Sequence, residues 1–192
     1  MNLTMRQAWI GFRLLIVMTV LLGVVYPLAV FAVGRIVPSI SNGSYVANAD
    51  GSVVGSSLIG QAFEGEQWFQ PRPSAAGAGY DALSSSGSNL GPNNPDLVAA
   101  VIERKAAAAA ANGVALESVP ADAVTASGSG LDPDISPEYA VQQVARIAAA
   151  RGLPEAAVAA VVADATQGRL LGFIGEPRVN VLQLNIALDR LR

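Results

Sequence analysis

Apolar residues fall along this chain in three regimes. From Leu14 to Gly34 they run without a single charge, LLIVMTVLLGVVYPLAVFAVG, bounded by Arg13 and Arg35. At ~1.5 Å per residue the run makes roughly 31 Å of helix, the thickness of a bilayer core. It predicts a transmembrane helix over 14–34. Pro27 lies inside it and predicts a kink of the kind that membrane helices tolerate, and Trp9 is placed to anchor at the interface. The rival is a cleaved signal peptide with Ala32-Val33-Gly34 as its cut site. The run is too long for that, and Val30-Phe31 is bulky just upstream.

Residues 36–93 form the second regime, of short β-branched or aromatic runs between turns. Asp50-Gly51 between Tyr45-Val46 and Val53-Val54 predicts a hairpin. Trp68-Phe69-Gln70-Pro71-Arg72-Pro73-Ser74 follows, where proline forbids a long strand. Residues 74–94 are rich in Ser, Gly, Ala and Asn and read as a flexible loop, of a length that inside a compact domain is functional or disordered.

Helical spacing makes the third. Asn94-Pro95-Asp96 opens a helix ending at Asn112-Gly113, with Leu97, Val98, Val101 and Ile102 as its core stripe. Ser136-Pro137 caps a second helix, with Val141, Val144, Ile147 and Ala148 on one side and Gly152 as its stop. A third begins at Pro154-Glu155 and ends before Gly168. A fourth runs from about Asn180 to Leu191 on Val181, Leu184, Leu188 and Leu191. Leu170–Ile174 reads as a strand or a helix extension. Strands and loops first, helices afterwards, predict an α+β domain over 36–192, large enough for one core.

Charge adds an orientation. Arg6, Arg13 and the terminal amine precede the span; Arg35 alone follows, and the next basic residue is Arg72. The positive-inside rule makes 1–13 a cytoplasmic tail and 36–192 an extracytoplasmic domain of a single-pass plasma (inner) membrane protein. That outer part holds all 15 acidic residues and nine of the 12 basic ones, a net −6, which does not suit the anionic inner leaflet. The chain's net −3 also argues against nucleic acid as a partner.

Composition closes off most chemistry. With no Cys and no His there is no zinc site, iron–sulfur cluster, Cys nucleophile or Ser-His-Asp triad. Lys105 is the only lysine and follows Arg104, so Walker A and Ser-x-x-Lys are both absent. Asp-Lys-Thr-Gly, the phosphorylation motif of ion pumps, is missing, and one span cannot enclose an ion path. Asp132 and Asp134 could bind a cation or do acid–base work, but beside Pro133 they read first as turn formers. Ser127 and Ser129 among glycines resemble an anion-binding nest only loosely. Ser57-Leu58-Ile59-Gly60-Gln61 matches the Leu-Ser-Gly-Gly-Gln signature of some nucleotide-binding proteins only at Gly60-Gln61, which makes Gln61 the one candidate for ATP contact. Trp68, Phe69 and Tyr80 read as core or interface.

Ordered strings then carry a resemblance over nearly the whole chain. They are Tyr26-Pro27 late in the span, Gly55-Ser56-Ser57-Leu58-Ile59-Gly60-Gln61, Trp68-Phe69 with Arg72-Pro73-Ser74, and Ser86-Gly87-Ser88-Asn89-Leu90. Val124-Thr125-Ala126-Ser127-Gly128-Ser129-Gly130-Leu131-Asp132, Ile135-Ser136-Pro137 and Gly175-Glu176-Pro177-Arg178-Val179-Asn180-Val181-Leu182 follow. In these the chain resembles the KdpC family, the C subunit of the potassium-transporting Kdp ATPase. The resemblance implies a noncatalytic accessory subunit of an ATP-driven, high-affinity potassium pump. Its implied partners are a channel-like potassium-selecting subunit, a P-type ATPase catalytic subunit and a very small single-span subunit. It also implies a role in assembly and as a catalytic chaperone that raises the catalytic subunit's ATP affinity. ATP is then used by the complex and no cofactor is expected on this chain. ATP is cytoplasmic while 36–192 is expected outside, so Gln61 would not touch it, and the coupling would run through the span. Arg72, Tyr80, Asn89 and Asp132, in or beside these strings on loops, are the interface candidates. The alternative is a stand-alone membrane-anchored extracytoplasmic hydrolase or binding protein.

Overall fold

A computed structural model describes residues 2–48 and 50–191. Two compact units divide at Ser44/Tyr45.

The first unit is a continuous helical stretch, Leu3–Ile36, long and apolar enough to cross a membrane. No residue of its main segments, α1 (Leu3–Val20) and α2 (Tyr26–Ile36), is buried, which separates it from the core helix of a soluble protein. The apolar run 14–34 lies wholly within it. Pro27 has no N–H to give the preceding turn and its ring crowds that turn's carbonyl. The helix widens there into a π-turn, Leu21–Val25, where the Tyr26 N–H reaches back to the Leu21 carbonyl. A short helix, α3 (Pro38–Ser41), follows Val37, and the Ser41 hydroxyl donates to the Gly34 carbonyl at 2.7 Å.

The second unit is α+β. Strands β1 (Tyr45–Ala47) and β2 (Val53–Ser56) pair antiparallel with an irregular register after Val46. Asp50-Gly51 is the turn, as expected: Gly51 has φ +85°, and Asp50 Oδ1 accepts from the Ser52 N–H (2.9 Å) and hydroxyl (2.6 Å). These bonds hold the Asp50 carboxyl below its ordinary pKa. A small sheet orders β3 (Asp134–Ile135), β5 (Arg178–Asn180) and β4 (Thr166–Gln167), all antiparallel with β5 central.

Five helices follow, α4 (Pro95–Asn112), α5 (Pro137–Gln142), α6 (Val144–Arg151), α7 (Glu155–Ala165) and α8 (Val181–Asp189). Of these, α5, α7 and α8 pack on the central strand of that sheet, while α4 and α6 pack on other helices. The helix caps are those the sequence predicts. Asn94 accepts from Asp96 N–H, Ser136 from Tyr139 N–H and Asn180 from Gln183 N–H, while Gly113 and Gly152 close α4 and α6 in the left-handed conformation. The core joins Phe69, Ile135, Tyr139, Ile147, Val158, Val162, Val179, Leu184 and Leu188.

Three expectations fail in detail. The second helix is not continuous, because it breaks at Gln143, whose side chain is fully buried and turned to another part of the chain. Val141, expected on the core side, is exposed, because the buried face runs through Ala140, Gln143, Val144 and Ile147. On α4 only part of the stripe faces inward. Val101 and Ala108 pack on the core, but Val98 and Ile102 are 49% and 65% exposed. Leu170–Ile174 is neither strand nor helix. It is a tight turn joining β4 to β5, closed by reciprocal Leu170–Ile174 backbone bonds of 2.9 Å.

Candidate functional site

Segment 65–73 cannot join a sheet through its prolines, so side chains satisfy its backbone. Asn185 Oδ1 accepts the Phe69 N–H (2.9 Å), and its Nδ2 donates to the Phe69 carbonyl (3.0 Å). Gln143 does the same for Gln70, at 2.7 and 3.2 Å. Arg146 donates to the carbonyls of Glu66 and Trp68, to Gln143 Oε1 (2.7 Å) and to Asn112 Oδ1 (3.0 Å). Burial pulls the Arg146 pKa below its ordinary value, opposed by Tyr139 and Glu66. Phe69 is thereby sunk into the core and Arg72 is delivered to the surface.

The loop 74–94, expected to be flexible, is tied down against residues 127–130. Ser127 N–H donates to the Pro73 carbonyl (3.1 Å), Ser74 Oγ to Gly130 (2.6 Å) and Ser85 Oγ to Ser129 (2.9 Å). Gly130, with φ +70°, leaves no room for a side chain: a Cβ there would stand 2.6 Å from the Ser86 carbonyl. Ser127 and Ser129 direct their hydroxyls to their own loop's N–H groups at Ser129, Leu131 and Asp132, which is turn chemistry rather than an anion nest.

These elements build an open groove of about 430 Å³, lined by Arg72, Asp122, Asp132, Asp134, Ser136, Glu176 and Arg178 among others. Arg72 Nη1 donates to Asp132 Oδ2 at 2.7 Å, and Asp132 Oδ1 accepts the Asp134 N–H at 3.0 Å. Asp134 pairs with Arg178 Nε at 3.1 Å and accepts from Asn180 Nδ2 at 3.3 Å. Burial nonetheless pushes the Asp134 carboxyl above its ordinary pKa. Asp132 adds to the rise, while Arg178 and Asn180 oppose it. Asp122 accepts both the N–H (2.7 Å) and the hydroxyl (3.0 Å) of Ser136 and so braces the start of α5. Each of these carboxylates thus has a structural partner. Among the described residues no group of three acidic side chains could hold a metal ion.

Tyr80 stands behind the groove. Its hydroxyl donates to the Arg72 carbonyl and its N–H to Ser74 Oγ at 2.8 Å. Burial pushes the hydroxyl pKa up to about 12. Arg72, Tyr80 and Asp132 are therefore brought together, whereas Asn89, with φ +53°, is exposed and lines no part of the groove. Gln61 is elsewhere. It donates to the Val54 carbonyl at 3.4 Å and lines a cavity of about 150 Å³ with Phe63, Trp68 and Asn185. Ligand pockets ordinarily measure about 300–1,000 Å³. Beside this cavity the Arg151 guanidinium sits 4.4 Å from the centre of the Trp68 ring.

Sequence reasoning does not reach Asp122, Glu176 and Arg178 as groove residues. Glu176-Pro177-Arg178 lies in one of the family-like strings, but nothing local signals that it lines the groove with Arg72 and Asp132.

Comparison with known proteins covers both units. The family model described as KdpC, K+-transporting ATPase, c chain, matches residues 8–190. A potassium-transporting ATPase KdpC subunit of Kineococcus radiotolerans is 65% identical over 184 residues, 96% of this chain and 93% of that one. The one of Beijerinckia indica is 55% identical over 96% and 92%. That of Mycobacterium tuberculosis is 50% identical over 97% and 99%. With a match that runs from the apolar helix through the groove to α8, the chain belongs to the KdpC family of K+-transporting ATPase subunits.

Proposed function

We propose that this chain is a noncatalytic accessory subunit of an ATP-driven potassium uptake pump, anchored by one span with 36–192 outside the cell. There it holds together a channel-like potassium-selecting subunit, a P-type catalytic subunit and a small single-span subunit. The observation that carries this reading is the extent of the family match, which covers both the apolar helix and the folded domain. Its effect on ATP is indirect. The folded domain and cytoplasmic ATP lie on opposite sides of the bilayer, so the subunit raises ATP affinity by favouring one of two pump states through the span. Gln61, in a small cavity on the outer domain, does not contact the nucleotide.

The test is expression of the pump's other subunits with and without this chain. With it, the channel-like and catalytic subunits co-purify in detergent and the complex shows potassium-stimulated ATP hydrolysis. Without it, the complex falls apart, or the KM for ATP rises about 5- to 150-fold, the range of an ordinary coupling energy. An unchanged complex with an unchanged KM overturns the proposal.

A further inference from the structure

A further cavity, of about 310 Å³, opens where segment 63–70 meets α4, α5 and α6. Small-molecule sites begin at about that size, 300–1,000 Å³. Phe63, Ala108 and Ala111 give it apolar wall, and its polar groups come from Glu66, Gln70, Asn112, Tyr139 and Arg146.

Tyr139 is the group that the fold leaves unanswered. It is only 6% exposed. Among the described residues its hydroxyl meets no hydrogen-bond partner, and the bonds the residue makes are those of its backbone. A tyrosine hydroxyl this deeply buried ordinarily finds one. Burial pushes its pKa up to about 12, and the Arg146 guanidinium is the strongest charge acting on it, ahead of Asp122. It therefore stays protonated, able to donate and to accept.

The other polar groups divide into two sets. Arg146 gives four of its five N–H groups to the carbonyls of Glu66 and Trp68 and the amide oxygens of Asn112 and Gln143, which leaves one on Nη2. Among the described residues no carboxylate pairs with it. Asn112 Nδ2 gives one N–H to the Ala108 carbonyl at 3.0 Å and keeps the other. With the Tyr139 hydroxyl these are donors for a carboxylate. Against them stand two acceptors. The Glu66 carboxylate acts on Arg146 without an ion pair of its own among the described residues. Gln70 directs its Nε2 to the Gly65 and Trp68 carbonyls at 3.1 and 3.5 Å, and its Oε1 accepts nothing there. A lone anion would meet Glu66 and a lone cation Arg146, so both charges on one molecule fit best.

We infer that this cavity binds a small free zwitterion, an α-amino acid with an apolar side chain. Its carboxylate meets Arg146, Asn112 and Tyr139, its ammonium meets Glu66 and Gln70, and its side chain lies against Phe63, Ala108 and Ala111.

The test is saturation-transfer NMR on the full chain in detergent, titrated to ~10 mM with each of three probes. These are L-leucine, 4-methylpentanoate, which lacks the ammonium, and 3-methylbutylamine, which lacks the carboxylate. Leucine is expected to bind, and each single-charge analogue at least about tenfold more weakly, the worth of a charge-assisted hydrogen bond. Tyr139→Phe is expected to weaken leucine severalfold and to leave Tm unchanged, because the hydroxyl bonds nothing within the chain. A structural role would instead lower Tm and leave leucine affinity alone. Glu66→Gln is expected to weaken leucine about tenfold or more and to strengthen 4-methylpentanoate. Three results each overturn the inference: no transfer to leucine, unaltered leucine affinity in both variants, or 4-methylpentanoate binding the unaltered chain more tightly than leucine. None of them bears on the subunit reading, which stands or falls on co-purification.

Discussion

Asn185 occupies both backbone polar groups of Phe69, 116 residues earlier, accepting its N–H at 2.9 Å and donating to its carbonyl at 3.0 Å. An amide side chain thus stands in for the neighbouring strand that Pro71 and Pro73 deny to this segment. Both partners are buried, so truncation leaves two backbone groups dry and unpaired. Asn185→Leu is expected to destabilise the chain by about 2–4 kcal/mol, since each orphaned buried group costs about 1–3 kcal/mol. Asn185→Asp keeps the acceptor, but loses the donor and buries a charge. Thermal unfolding in detergent measures both, and a Tm unchanged by Asn185→Leu would rule out the strand-replacement role.

The Arg72–Asp132 pair is partly exposed, at 26% and 32% for the two side chains. Screening limits such a pair to about 1 kcal/mol at most. Arg72→Ala and Asp132→Ala are each expected to cost about that much, and the double variant less than their sum. A double-mutant cycle by denaturant unfolding reads the coupling, and strict additivity would show that the pair contributes nothing.

The 74–94 loop is held by close approach at Gly130. Its left-handed φ, and the Ser86 carbonyl only 2.6 Å from the place a Cβ would take, make Gly130→Ala costly twice over. A loss of about 2–4 kcal/mol is expected from left-handed backbone strain and overpacking together. Limited proteolysis should then cut within 74–94, where the unaltered chain resists. Gly113→Ala is the control: it shares the left-handed φ, but a Cβ there meets nothing within 4 Å. It should cost about 1 kcal/mol and leave the loop uncut.

Helix ends are legible from the sequence because their determinants are local. Asn94, Ser136 and Asn180 cap the turns they begin, and Asp50-Gly51 makes its own hairpin. The break at Gln143 is not, and neither is the partner of its buried side chain, the backbone of Gln70, 73 residues away. Nor are β3 and β4, whose two residues each are too short for any period to show. At the groove, Arg72 and Asp132 can be singled out by the strings around them. Their partnership, and the presence of Asp122 and Arg178 beside them, depends on tertiary distance, to which spacing along the chain is blind.

Asp134 titrates in the direction that burial dictates. Its native pKa lies above the ordinary 3.8, so the folded chain holds this proton more tightly than the unfolded one. The stabilisation it supplies is therefore complete below 3.8 and disappears as pH rises through the raised native value. The stability of the unaltered chain minus that of Asp134→Asn should fall over that interval and then level off. Melting curves of both at intervals from about pH 3.5 to 7 measure it. A difference that grows with pH would mean that Arg178 outweighs burial.

The chain contains no cysteine, so one introduced thiol is a unique reporter of sidedness. Leu83 is 98% exposed on the 74–94 loop, and replacing it removes no packing. Orientation is expected to follow Arg6 and Arg13, which precede the apolar run, over Arg35, which follows it. Leu83→Cys in intact cells should react fully with a membrane-impermeant maleimide, and a cysteine at Asn2 only after lysis. Because the bias rests on two arginines against one, Arg6→Glu/Arg13→Glu should lower labelling at position 83 and raise it at position 2. Protection of position 83 in intact cells of the otherwise unaltered chain would put the folded domain in the cytoplasm, within reach of ATP. It would remove the reason for routing the effect on nucleotide affinity through the span.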